Sequence, residues 1–152
     1  MTKINEYSGK GTIKYVNGDV YEGEFRDSEQ HGQGEMTYID DGRVCEGNWH
    51  SGKLQKGTCK WKNKRVYEGE LAGGKPHGKG KMTYSDGGVY EGEWINGKRH
   101  GKGTHKYSSG KIYEGDWKND KKHGKGLDKW SDRVVYEGDW KNGDYNGKGT
   151  YN

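Results

Sequence analysis

Glycines recur along this chain in Gly-x-Gly pairs whose second members are Gly11, Gly34, Gly57, Gly80, Gly103, Gly126 and Gly149, each 23 residues from the next. The first members are Gly9, Gly32, Gly78, Gly101, Gly124 and Gly147, with Gln55 in the remaining pair. A fixed period of roughly 20–50 residues marks a repeat architecture, in which each unit buries its apolar face only against its neighbours. A compact globule with one central core is therefore not expected.

Aligning on the glycines exposes the rest of the unit. An aromatic follows four residues after the second glycine, at Tyr15, Tyr38, Trp61, Tyr84, Tyr107 and Trp130. A Tyr-Glu-Gly triplet comes next, with tyrosines Tyr21, Tyr67, Tyr90, Tyr113 and Tyr136, and Cys45 in the second repeat. Another large residue stands at Phe25, Trp49, Leu71, Trp94, Trp117 and Trp140. Tyr90, Gly92 and Trp94 alternate with Glu91 and Glu93, and such period-2 alternation between glycine-bearing turns signals strands and hairpins. Each repeat reads as two short antiparallel strands, and the whole as an all-β, elongated, single-layer twisted antiparallel meander without helices. Residues 1–152 form one array of about six repeats plus partial terminal repeats.

Pairing Trp94 with Gly103 places Gly92 opposite His105 and Tyr90 opposite Tyr107, and the next turn sets Tyr107 opposite Tyr113. In this register one face carries a continuous aromatic ladder, and each large residue lies beside a second glycine, where a ring covers bare backbone. The other face alternates acids with Lys or Thr, no two carboxylates being adjacent in its main row, while Glu24 faces Glu35. Cys45 and Cys59 become diagonal neighbours, ~7–8 Å apart and beyond the usual disulfide span. Two packed thiols are expected.

Only 26% of residues are hydrophobic and 33% are charged, but six Trp and twelve Tyr exceed what a solvated linker carries. The net charge of +4 is spread over mixed signs, without a basic block suited to nucleic acid or a polybasic membrane anchor. No apolar run approaches the ~20 residues of a membrane span. The first ten residues carry neither a signal-type apolar stretch nor a glycine after Met1. A soluble, cytoplasmic protein is expected.

The unit Tyr90-Glu91-Gly92-Glu93-Trp94-Ile95-Asn96-Gly97-Lys98-Arg99-His100-Gly101-Lys102-Gly103-Thr104, followed by Tyr107 and Gly110, resembles a MORN repeat. The resemblance extends over nearly the whole chain and is weakest in the second repeat, at Cys45 and Gln55. It implies a single-layer twisted β-sheet and a scaffolding role. MORN arrays occur in ciliary radial-spoke, junctional membrane and protist cytoskeletal proteins and in phosphoinositide kinases, and phospholipid binding has been proposed for them.

Candidate chemistry is sparse. His31, His77, His100 and His123 share one repeat position, but equivalent residues lie two strands apart, ~9.5 Å, too far for neighbours to share an ion at ~2.0–2.1 Å. The repeated Glu22, Glu68, Glu91, Glu114 and Glu137 are equivalent, whereas an active site needs one unequal constellation. The Gly-x-Gly pairs do not sit between a strand and a helix as a dinucleotide loop would. Aromatics and lysines fall on opposite faces, against stacking of single-stranded nucleic acid. The reading is of a non-enzyme without cofactor or metal.

The expected partner-binding face comprises Tyr15, Tyr21, Tyr38, Trp49, Trp61, Tyr67, Tyr84, Tyr90, Trp94, Tyr107, Tyr113, Trp117, Trp130, Tyr136 and Trp140. Neither end has a capping element, so pairing of an open sheet edge, including homodimerisation, is also expected. The leading function is a scaffold or adaptor binding protein partners, placed by family analogy in a cytoskeletal or ciliary assembly. The alternatives are a peripheral module that binds anionic lipid through Lys75, Lys98, Arg99, Lys121 and Lys122, and a regulatory subunit of a larger enzyme complex.

Overall fold

The structure is a computed structural model that describes residues 7–131 and 133–151. Among the described residues, thirteen strands follow one another: β1 (Gly9–Lys14), β2 (Val20–Arg26), β3 (Glu29–Thr37), β4 (Val44–His50), β5 (Lys53–Lys60), β6 (Val66–Ala72), β7 (Lys75–Thr83), β8 (Val89–Ile95), β9 (Lys98–Lys106), β10 (Lys111–Lys118), β11 (Lys121–Trp130), β12 (Arg133–Lys141) and β13 (Asp144–Tyr151). There is no helix among the described residues. The chain divides into two compact units, Met1–Gly74 and Lys75–Asn152. Within each unit, every strand pairs antiparallel with its chain neighbours, which makes each unit a β-meander.

The hairpin tips explain the local geometry. Asp27-Ser28, Ser51-Gly52, Gly73-Gly74, Asn96-Gly97, Asn119-Asp120 and Asn142-Gly143 have positive φ at both residues. That is the two-residue turn whose twist matches the flanking strands, and Asn-Gly is its favoured sequence. Successive tips are also tied together. In unit 2, the Gly97, Asp120 and Gly143 amides donate to the carbonyls of Pro76, Arg99 and Lys122, at 2.8 to 2.9 Å.

The tight tips change the expected register. Ile95 pairs with Lys98 and Trp94 with Arg99, and after a bulge Gly92 pairs with Gly103 and Tyr90 with His105. Tyr113 likewise pairs with His105 rather than Tyr107. The expected Gly92–His105, Tyr90–Tyr107 and Tyr107–Tyr113 pairs are thus each displaced by two residues, and Trp94, beyond the bulge, by four, from Gly103 to Arg99. A two-residue shift keeps every side chain on its own face, so the faces stand while the rows change.

Glycines therefore meet glycines: Gly11, Gly23, Gly34, Gly47, Gly57 and Gly69 form one cross-strand row in unit 1. Gly80 through Gly149 repeat it in unit 2. The triplet tyrosine, not the tryptophan, covers the second glycine. A Cβ at Gly34 would fall inside the Tyr21 ring, and one at Gly103 inside the Tyr90 ring. Tryptophan instead sits beside the first glycine, as in Gly32–Trp49 and Gly78–Trp94. Its indole N–H reaches a glycine carbonyl, from Trp49 to Gly34 (2.9 Å), Trp94 to Gly80 (3.1 Å) and Trp117 to Gly103 (3.1 Å).

The core is thus a zipper of rings on one face. Tyr90 meets Trp94 and Trp117 edge-on at 4.9 and 5.3 Å, and Tyr113 meets Trp117 and Trp140 at 5.1 and 5.0 Å. Each triplet Tyr hydroxyl donates to a backbone carbonyl three residues on, for example Tyr21 to Glu24 and Tyr136 to Asp139. Buried hydroxyls are satisfied in this way without breaking the apolar layer.

Two further expectations are corrected by the register. Cys45 lies directly opposite Cys59, with Cα atoms 4.0 Å apart, and the two form a disulfide rather than free thiols. Glu22, Glu35 and Glu46 are adjacent in one cross-strand row, so carboxylates do neighbour one another. Glu24 does not face Glu35. It accepts the Gln33 N–H instead (2.7 Å), as Glu93 accepts that of Lys102 and Asp116 that of Lys125.

Candidate protein-docking face

The fifteen rings expected to form a docking face divide by burial. Tyr21, Trp49, Tyr67, Tyr90, Trp94, Tyr113, Trp117, Tyr136 and Trp140 are buried and build the core. Tyr15, Tyr38, Trp61, Tyr84 and Tyr107 are half-buried and Trp130 is exposed. These six stand at the turns opposite the hairpin tips. An alternating pattern gives both classes the same face, and only the neighbours of each row decide which is covered.

Between turns and tips of unit 1 lies a groove of about 580 Å³ lined by Tyr15, Val16, Asp19, Gln30, Met36, Tyr38, Trp49, Leu54 and the glycine-bearing tips. Two apolar turn residues stand beside it unprotected, Val16 at 109% exposure and Ile39 at 62%. Tyr38 is fixed by Arg43, whose guanidinium lies 3.9 Å from the ring centre. Arg43 donates to the Gly74 carbonyl and pairs with Asp41 at 2.8 Å. Burial pushes the Tyr38 hydroxyl up from its ordinary pKa, and Arg43 opposes that rise. Burial also acts to raise the Asp41 carboxyl, but hydrogen bonds from the Arg43 N–H and guanidinium outweigh it and hold the group below its usual range.

Unit 2 fills the corresponding positions with charge. Arg99 lies 4.4 Å from the Trp117 ring centre, pairs with Asp120 (2.7 Å) and approaches His105 Nδ1 (3.1 Å). An arginine can only donate, so His105 Nδ1 accepts and the ring proton sits on Nε2. Burial, then Arg99 and Lys122, lower the His105 pKa to about 4. The Lys122 ammonium lies 4.9 to 5.0 Å from the centres of Tyr107, Tyr113 and Trp140. Asp128, wholly buried, is 3.0 Å from Lys111, 3.6 Å from Lys122 and accepts the Tyr145 hydroxyl. The expected lipid-contact tips therefore divide as well. Lys75, Lys98 and Lys121 are exposed, while Arg99 and Lys122 are folded onto their own rings.

The opposite face holds a shallow concavity of about 780 Å³ in unit 1, lined by Glu22, Glu24, Glu35, Glu46 and Lys10. His31 and His50 approach each other on neighbouring strands, with ring centres 5.4 Å apart. Among the described residues, no three His, Cys, Asp or Glu side chains converge as a metal site would require. No helix among them is long and apolar enough to cross a membrane. Of the segment Gly147–Asn152, read as an unfinished strand with an open edge, residues 147–151 belong to β13 and only Asn152 lies outside the described residues, as do residues 1–6 of the segment read for a signal.

The family comparison agrees with this architecture. The MORN repeat family matches residues 3–20, 21–43, 67–89, 90–112, 113–132 and 136–152. The longest unmatched stretch, 44–66, contains both cysteines and Gln55. No curated protein matches. Among solved structures, the SAS-4 (dCPAP) TCP domain of Drosophila melanogaster, in complex with a proline-rich motif of Ana2 (dSTIL), is similar at 10% identity and a TM-score of 0.47. That similarity covers 89% of this chain and 86% of the other.

Proposed function

Because the chain belongs to the MORN-repeat family, we propose that it is a non-enzymatic scaffold or adaptor that docks a protein partner on the aromatic face of unit 1. The observation that carries the reading is the groove of about 580 Å³, where apolar rings remain accessible and Val16 and Ile39 project beside it. Exposed apolar surface concentrated in one concavity is where partners gain most from dehydration. Membership of a cytoskeletal or ciliary assembly in the cytoplasm is the wider setting of this proposal. Cross-linking in the native source tests it, comparing the chain with a Val16→Asp/Ile39→Asp variant. Loss of specific cross-linked proteins in the variant is expected. Recovery of the same proteins with both chains would overturn the reading.

A second reading rests on the exposed tip lysines Lys75, Lys98 and Lys121, which present cations in successive tips of unit 2 to anionic lipid. Flotation with phosphoinositide-containing liposomes separates the two. Binding that is lost at high salt, and lost with all three lysines changed to Gln, would favour the lipid module.

A further inference from the structure

The second repeat lacks the triplet tyrosine: Cys45 stands where Tyr21, Tyr67, Tyr90, Tyr113 and Tyr136 stand in the others. In the other repeats that ring makes two contacts. It covers the second glycine of the next strand, as Tyr21 covers Gly34 and Tyr113 covers Gly126. It also meets the large residue of its own strand edge-on, at 4.9 Å from Tyr90 to Trp94 and 5.1 Å from Tyr113 to Trp117. Neither contact is open to Cys45. A Cβ at Gly57 would first meet the Glu46 and Gly47 backbone rather than a ring, and Trp49 leans on Tyr21 of β2 (5.0 Å).

Two substitutes take the place of the ring. The Cys45–Cys59 bridge ties β4 to β5 in the row that the tyrosines occupy elsewhere, and both residues are fully buried. Leu54 supplies the second. Its Cδ1 stands 3.0 Å from where a Cβ at Gly47 would lie, the place that the Tyr21, Tyr90 and Tyr113 hydroxyls take beside Gly23, Gly92 and Gly115. Leu54 pairs across the hairpin with Trp49, and both, with Gly52 and Lys53, wall the groove of about 580 Å³. This wall therefore belongs to a hairpin whose packing depends on a bond that reduction cuts.

We propose that the Cys45–Cys59 disulfide is a redox latch on the unit 1 groove. Oxidised, it holds Trp49 and Leu54 in the groove wall; reduced, it lets the β4–β5 hairpin loosen and the docking surface lose its shape. A dithiol reductant drives the step. One of its thiolates attacks a bridge sulfur and breaks the S–S bond, and its second thiol resolves the mixed disulfide. Cys45 and Cys59 receive two electrons and two protons, and the dithiol becomes a disulfide. Both sulfurs are buried, so attack waits on local opening of the hairpin. Ladder bonds and the rings of neighbouring strands remain, which keeps the loosening local. The inference rests on the docking reading above and adds its regulation.

The indole N–H groups provide the test. Trp49, Trp94 and Trp117 make the same bond, to the carbonyls of Gly34, Gly80 and Gly103, and Trp49 alone belongs to the bridged hairpin. In NMR of the full chain, dithiothreitol is expected to speed exchange of the Trp49 indole N–H at least about tenfold while Trp94 and Trp117 keep their rates. Cys45→Ser/Cys59→Ser should exchange fast with or without dithiothreitol. Should that variant not fold, reoxidising the parent chain with oxidised glutathione should restore the slow rate. In native-source cross-linking, the proteins lost with Val16→Asp/Ile39→Asp should also be lost with Cys45→Ser/Cys59→Ser. An unchanged Trp49 rate after complete reduction, or equal acceleration of all three indoles, would overturn the latch. Faster Trp49 exchange with the same cross-linked proteins recovered would overturn its control of docking. Failure of the docking reading itself shows separately, as recovery of the same proteins with Val16→Asp/Ile39→Asp.

Discussion

Units 1 and 2 use the same repeat and finish it differently. Their glycine rows, triplet tyrosines and tip turns coincide, yet two inward positions on each hairpin's second strand diverge. In unit 1 these are Gln30 with Met36 and Leu54 with Cys59; in unit 2 they include Arg99 with His105 and Lys122 with Asp128. Unit 1 closes its layer with apolar groups and a disulfide and keeps a groove. Unit 2 closes β7 with buried Pro76 and Met82, and closes β9 and β11 with charges neutralised at close range. The difference teaches that Tyr, Trp and Gly set the frame, while these two positions decide whether apolar or charged groups complete it.

The largest expected effect probes the charged closure. Asp128→Ala leaves Lys122 and Lys111 without their buried carboxylate and should cost about 3–5 kcal/mol in urea unfolding. Replacing both partners with apolar residues, Asp128→Met with Lys122→Leu, should restore most of that loss. Failure of the double variant to recover would mean the charges do more than close the layer.

Removing the Cys45–Cys59 link tests the closure of unit 1. The bridge spans 14 residues, and its loss should cost about 3 kcal/mol. Hydrogen exchange with and without reductant should quicken in β4 and β5 and leave β9 and β10 unchanged. Equal acceleration in both units would deny that the bridge acts locally.

His105 supplies a pH signature that Met36 and Met82 cannot. Its folded pKa, about 4, lies below the ordinary ~6.5, so protonation favours the unfolded chain. Stability from neutral His105 is fully present above about pH 6.5 and falls as pH drops towards about 4. After discounting for solvent screening, the loss is on the order of 1–2 kcal/mol. Urea midpoints at pH 7.5 and 4.5 should differ less for His105→Met than for the parent chain. An unchanged difference would contradict burial of a neutral imidazole.

The smallest effect concerns the outer face. Unit 1 lines up Glu22, Glu35 and Glu46, whereas Lys102 pairs with Asp116 at 2.5 Å in unit 2. Glu35→Lys should stabilise by about 0.2–1 kcal/mol at low salt, with the gain fading as salt rises. A gain independent of salt would point to packing rather than charge.

Much of the fold was legible because the repeat leaves few alternatives. Alternation assigned Tyr90 and Trp94 to one face and Glu91 and Glu93 to the other, and a two-residue displacement could not undo that. Register was not legible. Asn96-Gly97 signals a tight tip, but the extra residues absorbed around Gly101 are set by how the bulge meets Glu93. That displacement hid the Cys45–Cys59 pairing and the three adjacent glutamates. The proposed docking face was half legible: its rings could be named, but core rings such as Trp117 and accessible ones such as Tyr38 obey the same alternation. Arg99 and Lys122 looked like free tip cations because nothing local shows a long side chain folding back over a ring on the next strand.

By itself, the 23-residue pattern determined the all-β meander, its two faces and the residues that recur in them, because period and alternation are properties of one strand and its turns. Tertiary structure alone decided which glycine each ring covers, that two cysteines meet, and that Arg99 and Lys122 fold back over the rings of the next strand. Those outcomes depend on which residues stand opposite across strands, and cross-strand distance is set by turn and bulge geometry that no single strand contains.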